Sequence, residues 1–442
     1  MRLLVLLFLL ALSVAAQQDF VRDDAKALLL EVRKKVMLTV DRLPKYLCTE
    51  TIDRSSFRPS VNVIGRSCDD LASRKKEQGW SMRQYSSDRL RLDVAISGNS
   101  EMYSWAGEAR FHDRSLADLV GGGATSTGAF ASFLTAIFGT DAADFTYDGD
   151  AKADGRALVA FGFRVPLEKS GYRIGTKRLG AIVGYDGTFL ADKKTFDLVR
   201  MTIRADRLPK VLNACADITT LDYGNVRLNN SDFLLPKDAR LQVLYADGSE
   251  LDNRTVFSGC HEFLGESSLQ FGDASQAEQG AAQKTVFKAL ALPSGLSFTI
   301  ALTRAIDTAI AAAGDPIKAD LESPIKDSHR GMLVPKGAAV TGRIIQIKRS
   351  YGPTSESLTL AIRLETIEAN GAPQWFDARL ESVVKRSINS TDSSVVRRSL
   401  GSFDQMFDLE DPSVGFLEFP DVTRDYVIKR GVEIEGVTAA PK

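Results

Sequence analysis

The strongest constraint on this chain is a period of two. In Arg89–Ser97, Leu90, Leu92, Val94 and Ile96 alternate with Arg91, Asp93 and Ala95. One face of such a segment is apolar and the other wet, as in a half-buried β-strand. Gly98-Asn99 then turns the chain into Glu101–Trp105. The pattern returns in Asp144–Tyr147 and Ala157–Val165, where Val159, Phe161, Phe163 and Val165 share a face and an Asp- and Gly-rich turn lies between the runs. It returns in Ala181–Tyr185 and Thr188–Leu190 around Asp186-Gly187. Phe196–Arg204, Thr219–Asn225, Arg240–Tyr245 and Thr255–Glu262 follow, with a turn at Asp247-Gly248. Alternating runs joined by Asp-Gly turns predict an antiparallel meander.

Two helices break the pattern. From Asp23 to Leu43, residues Ala25, Leu28, Leu29, Val32, Val36, Val40 and Leu43 recur at helical spacing. Asp23 and Asp24 suit the positive end of the helix dipole, and Pro44 stops the helix. Later, Gly121-Gly122-Gly123-Ala124-Thr125-Ser126-Thr127-Gly128 leads into a helix that carries Phe130, Phe133, Leu134, Ile137 and Phe138 on one face and ends at Gly139. Such a helix either closes the open side of the sheet as ordinary core or acts as a hinged lid.

The first residues bear on compartment. Met1-Arg2 precedes an apolar run from Leu3 to Leu12 and then Ser13-Val14-Ala15-Ala16. A basic start, a short apolar stretch and small residues at Val14 and Ala16 predict a secretory signal peptide over residues 1–16. The run is short of the about 20 apolar residues of a membrane span; the competing reading is a retained N-terminal anchor. Gln17, not cysteine, follows the cut, which excludes lipidation there. No later stretch approaches membrane length, so the expected location is the periplasm or the extracellular space.

Export makes Cys48, Cys68, Cys215 and Cys260 candidates for two disulfides, with three connectivities open. Closeness along the chain favours Cys48–Cys68 and Cys215–Cys260. None of the spacings is CxxC-like, which weighs against a four-cysteine zinc site. Cys260 and His261 cannot act as a nucleophilic dyad, because neighbours on a strand point to opposite faces.

Beyond Phe271 the character changes. Gly272–Lys284 lacks large apolar residues and reads as a linker. It divides a first domain, residues 17–271, from a second β-rich domain, residues 285–442. That second domain carries Ser297–Thr303, Pro316–Leu321, Ala339–Ile347, Leu358–Glu368 and Gln374–Val384, with turns at Pro335-Lys336-Gly337 and Asn370-Gly371. Ala301–Ala313 suits either a helix or a strand running into a loop. Lys385–Arg398 is polar and reads as a loop.

Composition removes several functions. Fifty-six basic against 57 acidic residues leave a net charge of −1, without the basic footprint of a nucleic-acid partner. His112, His261 and His329 are the only histidines, too few for histidine-rich metal sites or most general-base schemes. Gly123–Gly128 has the glycine spacing of a phosphate loop, but Ala129 and Phe130 stand where Lys and Ser/Thr are required. Asp148-Gly149-Asp150 with Asp154-Gly155 fails as a calcium loop, since Lys152 occupies a ligand position and no Glu closes it. The sequons at Asn229, Asn253 and Asn389 fit surface turns. No catalytic residue, metal or cofactor is expected.

The order of elements over Asp23–Phe271 (amphipathic helix, long antiparallel meander, plugging helix, and the Val183–Phe189 hairpin Val-Gly-Tyr-Asp-Gly-Thr-Phe) resembles the LolA/LolB-like lipoprotein-carrier half-barrel. The resemblance implies a curved sheet whose apolar concave face is covered by a helix and holds acyl chains or another apolar ligand. In the second domain, Leu292–Gly295, Gly314–Ile317 and Val334–Arg343 are similar to the small β-barrel of TrbI-type conjugation proteins, which implies a role in assembly. Leu43–Thr51, Leu-Pro-x-Tyr-x-Cys-x-Glu-Thr, resembles the start of the mature domain in exported Gram-negative envelope proteins.

The expected fold is therefore mainly β with a few helices: an antiparallel curved half-barrel with N-terminal and plugging helices, then a smaller β-barrel. Two functions are compatible with it. One is a non-catalytic envelope protein that binds a lipid or other apolar ligand. Leu92, Val94, Ile96, Phe161 and Phe163 would form its concave face, and Phe130, Phe133, Leu134, Ile137 and Phe138 its covering helix. The other is an assembly protein whose β domains bind other envelope proteins. The same apolar residues would also serve as an ordinary packed core.

Overall fold

The structure, a computed structural model, describes residues 24–61, 67–98, 100–108, 111, 116–120, 124–126, 128, 130–175, 180–262, 290, 292–329, 331–384 and 414–439. The expected signal peptide, the linker at 272–284, the loop at 385–398, His112, Gly121–Gly123 and the sequon at Asn389 lie outside the described residues.

The amphipathic period from Asp23 yields α1 (24–42), which ends two residues before Pro44 and buries Val32 and Val36 against the sheet. The sheet begins with β1 (Tyr46–Pro59). A short helix α2 (Cys68–Gln78) follows, its N-terminus capped by Ser67 Oγ, which accepts from the Asp70 amide at 3.1 Å. Next come β2 (Met82–Ser97), β3 (Ser100–Trp105), and the helices α3 (Leu116–Val120) and α4 (Ser132–Phe138). The meander continues through β4 (Asp144–Ala153), β5 (Arg156–Val165), the small hairpin β6 (Arg173–Gly175) and β7 (Gly180–Ile182), β8 (Gly184–Asp192), β9 (Leu198–Asp206), β10 (Ala214–Leu228), β11 (Ser231–Tyr245) and β12 (Glu250–Glu262).

The ladders, all antiparallel, run β4–β5–β8–β9–β10–β11–β12–β1–β2–β3. The first strand in sequence thus sits inside the sheet, between β12 and β2. The residues that alternate inward join α1, α3 and α4 in one apolar cluster.

The strands that follow are β13 (Ser297–Leu302), β14 (Ile306–Asp307), β15 (Pro316–Leu321), β16 (Ile325–Asp327), β17 (Gly331–Val334), β18 (Ala339–Tyr351), β19 (Glu356–Ala369), β20 (Ala372–Trp375), β21 (Ala378–Val383), β22 (Val414–Phe419), β23 (Val427–Ile428) and β24 (Glu433–Thr438). Their main ladder runs β22–β19–β18–β15–β13–β24–β21 around a separate apolar cluster. The ends of this ladder approach closely, since a Cβ on Gly415 would lie 2.4 Å from the Leu380 carbonyl oxygen. Among the described residues, however, no register of pairs joins β21 to β22, so the sheet curls without closing into the expected barrel.

The two sheets are stitched together. β18 pairs with β2 through Lys348–Asp88, Arg349–Ser87 and Ser350–Ser86. The Ala313 amide donates to Arg89 O at 2.8 Å and the Arg91 amide to Ala313 O at 2.7 Å. Buried Arg343 donates to the carbonyls of Ala106 (2.8 Å) and Gly314 (2.5 Å), and its charge is met by Glu365 at 3.0 Å. Gly314 sits at φ +106°, and a Cβ there would stand 2.0 Å from Arg91 O, so this crossing point admits only glycine.

Several expectations are corrected. Asp186-Gly187 is not a turn: β8 runs straight through it. Gly187 is needed because a Cβ would lie 1.9 Å from Thr202 O and 2.6 Å from the Phe163 ring. Of the two readings open for Ala301–Ala313, the strand running into a loop holds: the segment is the end of β13, then β14 and a turn. The disulfides also pair otherwise, as Cys48–Cys260 (Cα–Cα 4.1 Å) and Cys68–Cys215 (5.0 Å). Because β1 lies beside β12, Cys48 faces a residue 212 positions away, while α2 carries Cys68 towards β10. Peptide mapping under non-reducing conditions is expected to recover Cys48 linked to Cys260 and Cys68 linked to Cys215. The double variant Cys48→Ala with Cys260→Ala should lose about 2–5 kcal/mol of stability by denaturant unfolding.

Candidate functional site

The concave side of the first sheet is built by alternation. On β2 and β3 it receives Leu92, Val94, Ile96, Tyr103 and Trp105, and on β5 and β8 Phe161, Phe163 and Phe189. Over it lies α4, a helix of seven residues whose Phe133, Leu134, Ile137 and Phe138 are all buried. Phe130, in the turn before the helix, is buried with them. All ten residues expected to form a ligand surface, Leu92, Val94, Ile96, Phe130, Phe133, Leu134, Ile137, Phe138, Phe161 and Phe163, fall in the one cluster. The rings interlock: Phe161 stacks on Phe189 at 5.3 Å, Phe138 meets Phe189 edge-on at 5.0 Å, and Phe133 meets Tyr172 at 5.2 Å. The wall and the covering helix are therefore in direct contact.

Polar clasps hold the helix at both ends. The Glu101 carboxylate on β3 accepts from the amides of Gly128 (2.8 Å) and Phe130 (3.3 Å) and from Tyr103 Oη (2.7 Å). At the other end Arg33 on α1 donates to the carbonyls of Phe138 (3.1 Å) and Thr140 (3.0 Å). A seven-residue helix has too few internal hydrogen bonds to stand alone in water, so these contacts and its apolar underside keep it in place.

The apolar reading missed a set of acidic and hydroxyl groups inside this core. Along β1 the inward positions are Tyr46, Cys48, Glu50, Ile52 and Arg54. Glu50 is only 3% exposed and stands between Leu92 and Phe257 in the ladders. Phe130 packs edge-on against Tyr46 (5.8 Å) and Phe257 (4.8 Å), which brings the approach to α4 over the same region. Among the described residues, Glu50 Oε2, Tyr46 Oη and Tyr223 Oη are buried without a hydrogen-bond partner. Burial, reinforced by the charge of Glu101, pushes the Glu50 carboxyl from its ordinary 4.5 up to about 8. Burial likewise raises the tyrosines Tyr46, Tyr103 and Tyr223. Further along the sheet, burial lifts Asp217 to about 6, while Tyr172 Oη donates to it at 3.3 Å. A signal was available in the sequence: a carboxylate alternating in phase with Tyr46, Cys48 and Ile52 is out of character for an inward face.

A second feature lies between the two sheets, a cleft of about 370 Å³ lined by residues that include Arg54, Asp88, Arg89, Thr308, Arg349 and Tyr351. Its buried cations are already engaged. Arg54 forks onto Asp88 at 2.7 and 2.5 Å, and Arg349 donates to Glu356, Thr308 and the carbonyls of Thr423 and Arg424. The cleft reads as a polar seam between the sheets.

No family model matches the chain, and no curated protein matches it. Solved structures that are similar include a LolA superfamily protein from Nitrosomonas europaea, with 9% identity over 53% of this chain and 93% of that chain at a TM-score of 0.26. A DUF1329 family protein from Desulfovibrio piger matches with 11% identity over 55% and 94%, at 0.27. An outer membrane lipoprotein-sorting protein domain from Vibrio parahaemolyticus matches with 12% identity over 52% and 90%, at 0.27. At these scores the functional reading rests on the geometry of the chain itself. Among the described residues no helix is long and apolar enough to cross a membrane.

The elevated Glu50 contributes a pH dependence to folding. Between pH 4.5 and about 8 the unfolded chain releases this proton while the folded one keeps it, so stability falls as pH rises through the window and levels off above it. Asp217 adds a fall of the same sign from its ordinary 3.8 to about 6. Thermal melts of the Glu50→Gln variant should be higher than wild type at pH 8 and flatter between pH 6 and 8. Parallel curves for the two proteins would contradict a protonated Glu50.

Proposed function

We propose that this chain is a non-catalytic, exported envelope protein that carries a lipid or other apolar ligand between the concave face of its first sheet and the covering helix. Its contact residues would be Leu92, Val94, Ile96, Phe161 and Phe163 on the sheet and Phe130, Phe133, Leu134, Ile137 and Phe138 around α4. The two apolar clusters support treating residues 17–271 and 285–442 as separate units, with the ligand assigned to the first. One observation carries the reading: the helix over the aromatic part of the concave face is short, α4 being seven residues long and pinned by side chains of β3 and α1. Separating α4 from the sheet breaks a few hydrogen bonds and exposes matched apolar surfaces, which an acyl chain can cover again.

The alternative, an assembly protein that docks through its sheets, is less well served by the free edge of the first sheet. β4 carries Asp144, Asp148, Asp150 and Lys152, with Asp150 paired to Lys193 at 2.7 Å, and charged side chains of this kind deter strand addition.

The carrier reading predicts that protein purified from an export-competent host retains lipid. Organic extraction and mass spectrometry should recover a lipid in near-stoichiometric amount. Stripped protein should bind the neutral probe N-phenylnaphthylamine with enhanced fluorescence, and Leu134→Trp, which adds bulk to the buried face of the helix, should lose that binding. Repeated recovery of lipid-free protein that also ignores the probe would sink the proposal.

A further inference from the structure

Buried hydroxyl and carboxyl atoms are ordinarily hydrogen-bonded, because an unmade bond leaves the whole desolvation cost of the group uncompensated. Here Tyr46 Oη, Glu50 Oε2 and Tyr223 Oη break that rule within one region, and all three side chains feel the charge of Glu101. Glu101 itself is satisfied. It accepts from Tyr103 Oη, Gly128 N and Phe130 N. A carboxyl buried in a dry site with a second carboxylate nearby keeps its proton. Glu50 therefore presents an O–H, as do both tyrosines. The rest of its surroundings are apolar: β2 places Leu92 beside it, β12 places Phe257, and Phe130 lies over Tyr46 and Phe257. The titratable groups coupled to it are Glu101 and Tyr103 on β3, while Tyr46 on its own strand and Tyr223 on β10 feel the same Glu101 and each other. Arg54, further along the same face of β1, is held by Asp88.

Three donors with a fixed negative charge nearby select the chemistry of what they bind. An anionic head group is repelled by Glu101. A neutral oxygen acceptor satisfies the donors without adding charge to a dry core. We propose that Tyr46, Glu50 and Tyr223 form an internal polar centre that recognises a neutral hydrogen-bond acceptor, the carbonyl of an ester-linked acyl chain. This rests on the carrier reading and supplies the polar half of its ligand.

The test is competition against bound N-phenylnaphthylamine by a monoacylglycerol, the free fatty acid and the alkylamine of the same chain length. The monoacylglycerol should displace the probe at several-fold lower concentration than the other two. Tyr46→Phe and Tyr223→Phe, which remove one oxygen each, should weaken the monoacylglycerol about three- to tenfold and leave probe affinity unchanged. In wild type the monoacylglycerol should bind more weakly above pH 8, as Glu50 ionises. Glu50→Gln keeps a donor and should bind at every pH as wild type does at pH 6, whereas Glu50→Leu should bind weakly throughout. Equal displacement by all three ligands, phenylalanine variants that match wild type, or an amine that binds best and tightens with rising pH would each overturn the polar centre while leaving the carrier reading in place. A probe that never binds wild-type protein would overturn the carrier reading itself.

Discussion

Insertion of β1 between β12 and β2 is the constraint on which the rest of the structure depends. A meander that simply followed the chain would leave its first strand at an edge. Here the first strand takes ladders on both sides, to Glu250–Glu262 on one and Met82–Ile96 on the other. That position makes one continuous curved surface of ten strands, with β4 and β3 at the edges. It brings Cys48 to Cys260 and puts Tyr46 and Glu50 in the middle of the concave face. A register shift of one residue in β1 would turn Glu50 out to solvent and bring Thr49 and Thr51 into the core. The bulge between Leu47 and Thr49 and the disulfide beside it hold the register at that point.

The second sheet leans on the same arrangement. β2 carries the first sheet's inward residues and also pairs with β18, so the strand that lines the core is the strand that joins the units. Around this joint the contacts are largely backbone or buried charge: Ala313 between Arg89 and Arg91, Arg343 on Ala106, Gly314 and Glu365. Removing one partner of such a buried ion pair leaves a charge stranded in low dielectric, which costs far more than loss of a surface pair. The joint is thus specified by groups that tolerate little change in relative position.

The strands were legible where one face is wet and the other dry. Arg89–Ser97, Ala157–Val165 and Ser297–Thr303 show the alternation plainly and appear as β2, β5 and β13. The helix α1 was legible for the same reason at a period of 3.6. α2 was not, because Leu71 is its one buried apolar side chain and helical periodicity needs a face to register. Asp186-Gly187 misled because the pair has two uses: the glycine that permits a turn elsewhere here permits Thr202 O and the Phe163 ring to approach a strand. The disulfides could not be read from proximity, since long-range pairing of β1 with β12 outweighs nearness along the chain. The ten apolar residues share one buried cluster, but Tyr46, Glu50, Glu101 and Tyr223 were passed over because pattern reading treats a carboxylate as a surface residue.

Those polar groups are also what distinguishes this interior from ordinary core. A packed β core gains nothing from a carboxyl and two phenols that find no partner; Leu and Phe of similar size would fill the same volume without the desolvation cost. Yet the sheet spends three inward positions on them, close to a carboxylate that is itself fully bonded. Glu101 has an evident structural task, since it fastens the turn that leads into α4. Glu50, Tyr46 and Tyr223 have none among the described contacts. Tyr46 packs on Phe130, beside the end of the helix that Glu101 fastens, so a ligand reaching Tyr46 would meet the covering helix at its clasp. Recognition of a polar group and movement of the cover would then act at one point on β3, because a change in charge or hydrogen bonding at Glu50 is felt directly by Glu101.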